Sequence, residues 1–350
     1  MRLLAPCREL AARIGSQLPA RGLAFVVCVG LFALGVALLG AGATVALGPY
    51  PDLGSCSVFP SPSPSLSPTA PGLPNEAAWN QDISKAPVAS NSAAIIAYID
   101  SHGGDHLHPD FGSPRAYGFP YAVVGAGQRK LPIHYTAYGD ESDPGPFPIP
   151  PNAPVEGGQH SNGDRHVLVV DRASCTLYEL GRAFFKAKPH PHWNADVGVS
   201  WNLRSTALRP DSWTSADAAG LPILPGLIRY EEVAAGQVNH AIRVTFDSTR
   251  NAWVHPGSHC AGDTSNPAAP PMGLRLRLRA SYGLERFSGA AKVIATALKR
   301  YGLIVADNGS NWFFGGTSDK RWNDEDLDQL KQIPGQAFEV VRSAAAVHKC

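Results

Sequence analysis

From Tyr121 onward, short apolar runs alternate with clusters of Gly, Pro and Asp: "YAVVGA" from Tyr121, "LPIHYTAY" from Leu131, "HVLVVD" from His166, "CTLYEL" from Cys175, "LIRYEEV" from Leu227, "HAIRVTF" from His240 and "LRLRLRAS" from Leu274. Runs of this length between turn residues predict strands. Strands joined by turns and not by helices predict an antiparallel β-sandwich or a jelly-roll-like domain. In "HVLVVD", Val167 and Val169 share one face while His166, Leu168 and Val170 share the other. Both faces are apolar, so this strand is expected at the centre of its sheet.

A longer period marks a few short helices. "SNSAAIIAYIDSHG" places Ile95, Ile96 and Ile99 on one side, with Ser90 or Asn91 as the cap. "GAAKVIATALKRYG" repeats the pattern through Val293, Ile294, Ala297, Leu298 and Tyr301 and closes on Gly302, where a C-cap glycine belongs. "LIVADNGSNWFF" reads as a hairpin turning at Asn308-Gly309. "NDEDLDQLKQIPG" reads as a helix capped by Asn323, and "FEVV" from Phe338 as a last strand. The fold class is therefore mainly β.

The N-terminal region follows other rules. From Arg21 to Leu47 the chain carries no charge after Arg21 and is long enough to cross a bilayer as a helix. Arg2, Arg8, Arg13 and Arg21 precede it against Glu9 alone, which puts the N-terminus in the cytoplasm and the remainder outside. The alternative is a long signal segment cleaved near "AGA" at Ala41 to Ala43, giving a secreted protein. The expected organisation is a cytoplasmic basic segment (1–21), a transmembrane anchor or signal segment (22–48), a Pro/Ser-rich stalk (49–74), an extracytoplasmic β-rich domain (75–342) and a tail (343–350). The stalk, with "SPSPSLSPTAPGLP", favours an extended spacer.

Outside the membrane, disulfides are permitted. Cys56, Cys175, Cys260 and Cys350 allow three pairings, of which Cys175 with Cys260 is preferred because both lie inside the folded region. A net charge of +1 offers no large field for nucleic acid, and no cofactor motif stands out.

Polar residues set among these strands supply the candidate chemistry. "HLHPDFG" brings His106, His108 and Asp110 to a Pro/Gly turn. Its H-x-H lacks the following Glu of a cupin-type metal site, with Ser113 and Pro114 standing there, and "HPGSHCAGD" from His255 only faintly matches the second half of such a site. His108 and Asp110 are accordingly read as groove residues. Asp164 can orient His166 at the start of its strand. Glu179 shares a face with Cys175 and Leu177, where a buried carboxylate is paired or catalytic and burial raises its pKa; on an open face it is a solvated charge.

The loop "LRPDSWTSADAAGLPILPGL" offers Trp213 as a sugar platform and Asp217 as an acid, base or hydroxyl acceptor. Ser215 has no G-x-S-x-G elbow around it. Asp307 ends an apolar run, and Arg275, Arg277 and Arg279 alternate along one strand face, suited to acidic glycan groups or to a solvated edge. Six tryptophans follow residue 190, more than a core of this size needs, so some are expected in a groove.

"WNQDIS", "LHPDFG", "GDRHVLVVD" with "CTLYEL", "WTSADAAGLPILPGL" and "YGLIVADNGS" resemble a group of secreted bacterial proteins to which no activity is attached. The resemblance spans about residues 75 to 342 and implies an exported, compact domain; it implies no catalytic residue. Taken together, the expectation is a membrane-tethered or secreted protein that acts on or binds polysaccharide or cell-envelope glycan. A carboxylate pair from Glu179, Asp164, Asp217 and Asp307, assisted by His166 or His108, would make it a glycoside hydrolase. The alternatives are a non-catalytic carbohydrate-binding or adhesin module, a metal-dependent cupin-like enzyme and a structural envelope protein.

Overall fold

The computed structural model describes Leu53, Cys56 and residues 78–113, 117–205 and 207–350. The expected segments 1–21 and 22–48 and nearly all of 49–74 lie outside those residues. Among the described residues, no helix is long and apolar enough to cross a membrane.

The chain is mostly β, with several sheets and few helices. Its first strands are β1 (His108–Pro109), β2 (Tyr121–Val124), β3 (Ile133–Tyr135), β4 (Val167–Asp171), β5 (Thr176–Gly181), β6 (Phe184–Lys186), β7 (His192–Ala195) and β8 (Val197–Asn202). There follow β9 (Ile242–Phe246), β10 (Arg250–Val254), β11 (Pro271–Met272), β12 (Arg275–Leu278), β13 (Leu303–Asn308), β14 (Phe313–Phe314), β15 (Phe338–Val340) and β16 (Val347–Lys349). The α-helices among the described residues are α1 (Ser92–Ser101), α2 (Tyr230–Ala234), α3 (Gly289–Arg300) and α4 (Asp324–Asp328).

A six-stranded sheet runs β1-β14-β9-β13-β12-β15 and a four-stranded sheet runs β2-β4-β5-β8, with smaller sheets β11-β10-β16 and β3-β7-β6. The sheets are mixed and not purely antiparallel: β2 lies parallel to β4, β3 to β7 and β9 to β13. A parallel pair needs a long crossover. Between β9 and β13 the chain supplies one, which includes α3.

Periodicity explains the elements that the sequence foretold. β4 is central in its sheet, and Val167, Leu168, Val169 and Val170 are all fully buried. Val167 and Val169 pack in a cluster with Trp193, whereas Leu168 and Val170 pack with Leu177 and Val199. Helix α1 sinks Ile95, Ile96 and Ile99 into the core beside the six-stranded sheet, each worth roughly 1.5–3 kcal/mol when fully buried. Helix α4 is capped as expected, the Asn323 side chain accepting from the N–H groups of Glu325 and Asp326. Gly302 ends α3 at φ +72°, where a side chain would collide with the Leu276 carbonyl.

Other expectations are corrected. "LIRYEEV" is not a strand: the Glu232 carboxylate turns back to accept from the Arg229 N–H at 3.0 Å, and this local cap nucleates α2. Asn308-Gly309 does not close a hairpin, because β13 and β14 flank β9 on opposite sides, one parallel and one antiparallel to it. The disulfides join Cys56 to Cys175 and Cys260 to Cys350 instead of Cys175 to Cys260. Cys56 enters the apolar cluster beneath the four-stranded sheet and so outcompetes the cysteine expected there. The residues set aside as a tail form β16, paired with β10 next to the second disulfide.

Candidate functional site

Each large sheet contributes charged side chains to one cluster. His166 immediately precedes β4, Arg243 lies within β9 and Asp307 near the end of β13, while the loop carrying Asp217 enters between them. Arg243 sits on the strand face opposite Ile242, Val244 and Phe246, yet it is only 5 % exposed because Asp217 covers it. The two form a bidentate pair, with Nε to Oδ2 at 3.0 Å and Nη2 to Oδ1 at 2.6 Å, and Asp217 is fully buried. Asp307 approaches the same guanidinium at 3.8 Å. Burial and the Asp217 charge push the Asp307 carboxyl up to about 7, against the pull of Arg243 and His166.

His166 anchors the other side. Its Nδ1 meets Glu156 Oε2 at 2.5 Å and its Nε2 meets the Ala216 carbonyl at 2.9 Å. Two acceptors on the two ring nitrogens are satisfied together only by the imidazolium. Burial disfavours that charge, but the Glu156 charge and hydrogen bond, with Asp307 adding, carry the pKa up to about 9. The Phe119 ring lies 5.0 Å from the Arg243 guanidinium and 5.5 Å from the imidazole, an apolar partition between two cations.

The cluster reaches solvent through Glu156. A cleft of about 240 Å³ is lined by Asp110, Tyr117, Gly118, Glu156, Gly157, Ser161, Gly163 and Asp164. Its floor is fixed by main-chain bonds between Phe119 and residues 316 and 318, which require the tight turn at Gly118. Gly118 has φ +79°, and a side chain there would meet the Gly316 carbonyl and Phe111. Its wall is tied back by Arg165, whose Nη1 donates to the carbonyls of Ser161 at 2.8 Å and Gln159 at 3.1 Å. Glu156 is braced as well, since its own N–H donates to the His166 carbonyl at 3.0 Å.

Two carboxylates on this cleft are pushed apart in acidity. Although Asp110 is exposed at the rim, desolvation by the cleft wall and then the Glu156 charge raise its pKa, with Arg243 and His108 opposing. At Glu156 burial acts upward too, but the His166 charge and hydrogen bonds outweigh it and hold the pKa below the usual carboxylate value. The two carboxyl groups are thus displaced in opposite directions, Asp110 toward the weaker acid and Glu156 toward the stronger.

The structure brings Asp110, His166, Asp217 and Asp307 into one neighbourhood and puts Asp164 on the cleft wall, where it does not orient His166 as expected, because Glu156 and the Ala216 carbonyl take the two ring nitrogens; the other candidates lie outside. Glu179 is fully buried with its charged end occupied: the Ile223 N–H donates to both oxygens at 3.0 and 3.1 Å, the Leu224 N–H to Oε1 at 3.0 Å, and the Trp201 indole to Oε2 at 2.9 Å. Burial pushes it up to about 7 although all three groups pull down, and Asp217 adds to the rise. No substrate atom can reach it. Ser215, also buried, uses its hydroxyl inside its own loop, donating to the Leu221 carbonyl at 2.6 Å.

Trp213 carries the Arg209 guanidinium 5.0 Å over its ring and does not line the cleft. Trp193, Trp201, Trp253, Trp312 and Trp322 are core residues. His108 stacks on Phe313 at 4.1 Å, and His106 bonds the neighbouring Asp105 at 2.8 Å. Among the described residues no group of three or more His, Cys, Asp or Glu is arranged to hold a metal ion. The alternating arginines are also engaged: Arg277 pairs with Glu339 at 2.8 Å, and Arg275 donates to Gln81 at 2.7 Å and to the Tyr301 carbonyl at 3.0 Å. They bind the sheet to its neighbours and present no row of open guanidinium groups.

Glu156 and Arg243 escaped the sequence reading. In "HAIRVTF" Arg243 alternates with apolar residues, a pattern shared by any half-buried strand, and Glu156 lies in "NAPVEGGQH", which carries no local sign of the histidine ten residues on. A larger hollow of about 430 Å³ beside α3 has no carboxylate or histidine among its lining residues. The chain matches no protein-family model, no curated protein and no solved structure.

Proposed function

We propose that the protein is an extracytoplasmic glycan-active enzyme that hydrolyses a glycosidic bond in the cleft between Asp110 and Glu156. The observation that carries this is the opposite displacement of the two carboxyl pKa values on one solvent-open cleft. Asp110 donates a proton to the leaving oxygen, and Glu156, held ionised by His166, activates water or attacks the sugar carbon. Asp164 and Ser161 on the wall accept or donate to sugar hydroxyls. Tyr117, 57 % exposed, offers an aromatic face for a ring. His166, Arg243, Asp217 and Asp307 act behind them as positioning groups. In this proposal the four- and six-stranded sheets serve as two leaves of a sandwich with the charged cluster between their edges.

A non-catalytic carbohydrate-binding module is the alternative that Tyr117 favours, because an exposed aromatic at the rim of a small cleft suits holding a chain without cleaving it. The test is release of new reducing ends by the full chain from a panel of bacterial and plant polysaccharides. Release that falls by at least about 100-fold in Asp110→Asn and in Glu156→Gln supports the enzyme. Release that persists in both variants overturns the assignment to this cleft. Binding without release, weakened by Tyr117→Ala, overturns the enzyme in favour of the binding module.

A further inference from the structure

The larger hollow is lined by cations and amides and by no acid. It lies between one flank of α3 and the segment 236–239 that follows α2, and it encloses about 430 Å³. Small-ligand sites run from about 300 to 1,000 Å³. Lys292, Thr296 and Arg300 stand four residues apart on α3, one above the other on a single exposed face. The other side of the helix, with Ile294, Ala295 and Leu298, is buried in the core and holds this stripe in place. Gln237 and Asn239 form the facing wall, and the buried Val238, Ala297 and Tyr301 line the base.

Most polar side chains of this groove are uncommitted. Among the described residues the Lys292 ammonium, the Gln237 and Asn239 amides and the Tyr301 hydroxyl make no hydrogen bond or ion pair. Tyr301 is only 6 % exposed, and a hydroxyl so enclosed ordinarily finds a partner. Arg300 spends its Nε on Asp82 at 2.9 Å and keeps its two Nη groups uncommitted among the described residues. The acids on the adjoining helices are taken. Asp326 accepts from the Ala290 N–H at 2.6 Å and from Gln329 at 2.7 Å, while Glu232 holds Arg229 and His240. The groove therefore presents positive charge that the domain leaves uncompensated.

Lys292 and Arg300 are separated by about 12 Å along the helix axis, at about 1.5 Å per residue. One ligand meets both only if it is extended and carries more than one anionic group. Between them the amides and hydroxyls offer donors and acceptors together, which a polyhydroxy chain needs. An acidic peptide finds no strand edge here, because the N–H groups of Gly236 and Gln237 are bonded back into α2. We propose that this groove binds a segment of acidic polysaccharide, with Lys292 and Arg300 taking uronate carboxylates and Gln237, Asn239 and Tyr301 taking sugar hydroxyls. The inference rests on the glycan reading for the class of polymer and narrows it to a polyanion. The groove shares no residue with the cleft of Asp110 and Glu156, so it holds polymer without acting on it.

The full chain carrying Glu156→Gln, so that the ligand survives, is titrated by calorimetry with tetragalacturonate and with the neutral galactose tetramer of the same linkage. Tetragalacturonate is expected to bind at least about tenfold more tightly than the neutral tetramer, and less tightly as salt is raised. Lys292→Glu should weaken it at least about tenfold by reversing one charge. Thr296→Trp should weaken it as much by filling the groove while both cations remain. Both positions are exposed and Lys292 has no partner to lose, so the thermal midpoints should stay with the parent.

Equal affinity for the neutral tetramer, full affinity in the two groove variants, or no tetragalacturonate binding at all overturns the proposal. Displacement of the sugar by polyglutamate at matched charge concentration shows that charge alone is read, and overturns the glycan. None of these failures touches the cleft if the chain with Glu156 restored still releases reducing ends from a neutral polysaccharide. Conversely, tetragalacturonate binding that Lys292→Glu abolishes, in a chain that releases nothing from any polysaccharide, sustains the groove and removes only the hydrolase.

Discussion

Glu179 and Glu156 are both carboxylates held by specific donors, yet they stand in opposite relation to solvent. Around Glu179 three fixed donors meet the two oxygens and the side chain has no exposure. Around Glu156 one partner, His166, takes one side and a cleft opens on the other, leaving the side chain 25 % exposed. Both environments displace pKa values, so displacement alone does not mark a catalytic group. What separates them is whether an oxygen remains for a substrate to meet. Glu179 ties the loop from Ile223 to Leu224 onto β5 and β8, and Glu156 leaves an oxygen facing a solvent-open cleft that Asp110 also lines.

The largest expected effect breaks the interior side of this contrast. Glu179→Ala leaves two backbone N–H groups and the Trp201 indole buried without their acceptor, at roughly 1–3 kcal/mol each. A loss of about 4 kcal/mol is expected by chemical denaturation, a large part of the stability of an ordinary domain. A variant with unchanged stability would show that Glu179 does not hold the loop, and would return it to the list of candidate acids.

A second effect, on the order of 3 kcal/mol, belongs to His166 and has a definite sign. Its folded pKa of about 9 lies above its unfolded value of about 6.5. The folded state binds the extra proton, so the stabilisation is complete below about pH 6.5 and is lost as pH rises through 9. Glu179 and Asp307, raised to about 7, give the same direction in a lower window, between their unfolded values near 4 and pH 7. Unfolding free energies measured across pH 4 to 10 should therefore fall in both windows. His166→Gln should flatten only the upper one, and a decline that survives this change would mean that the Glu156–His166 pair is not the source.

The sequence exposed much of this framework because local patterns determine it. The double-sided apolar run of β4, the isoleucine stripe of α1 and the Asn323 cap are each written in a few consecutive residues. Sharing a face with Cys175 and Leu177 left Glu179 either buried or a solvated charge, and the structure buries it. Its role was not legible either, because the donors that satisfy it come from 44 and 45 residues away in chain. Arg243 and Asp217 are 26 residues apart, and neither carries a local sign of the other. The disulfides were misjudged for a related reason, as Cys56 lies outside the strand-rich region and still packs beneath it.

The smallest expected effect on stability sharpens the cleft side. Asp110 is exposed at the rim, and no hydrogen bond or ion pair from its carboxylate to a structural element is seen among the described residues. Asp110→Asn should accordingly leave the unfolding free energy within about 0.5 kcal/mol of the parent, as surface substitutions usually do. The same change removes the group that the proposed hydrolysis uses as its acid. Should Asp110→Asn unfold the domain, the rim would be bearing structure, and acid catalysis would have to pass to Asp307, whose raised pKa is shared with a buried ion pair. A variant that is fully stable and inactive would place the proton donor at the cleft and leave the interior carboxylates to hold the fold.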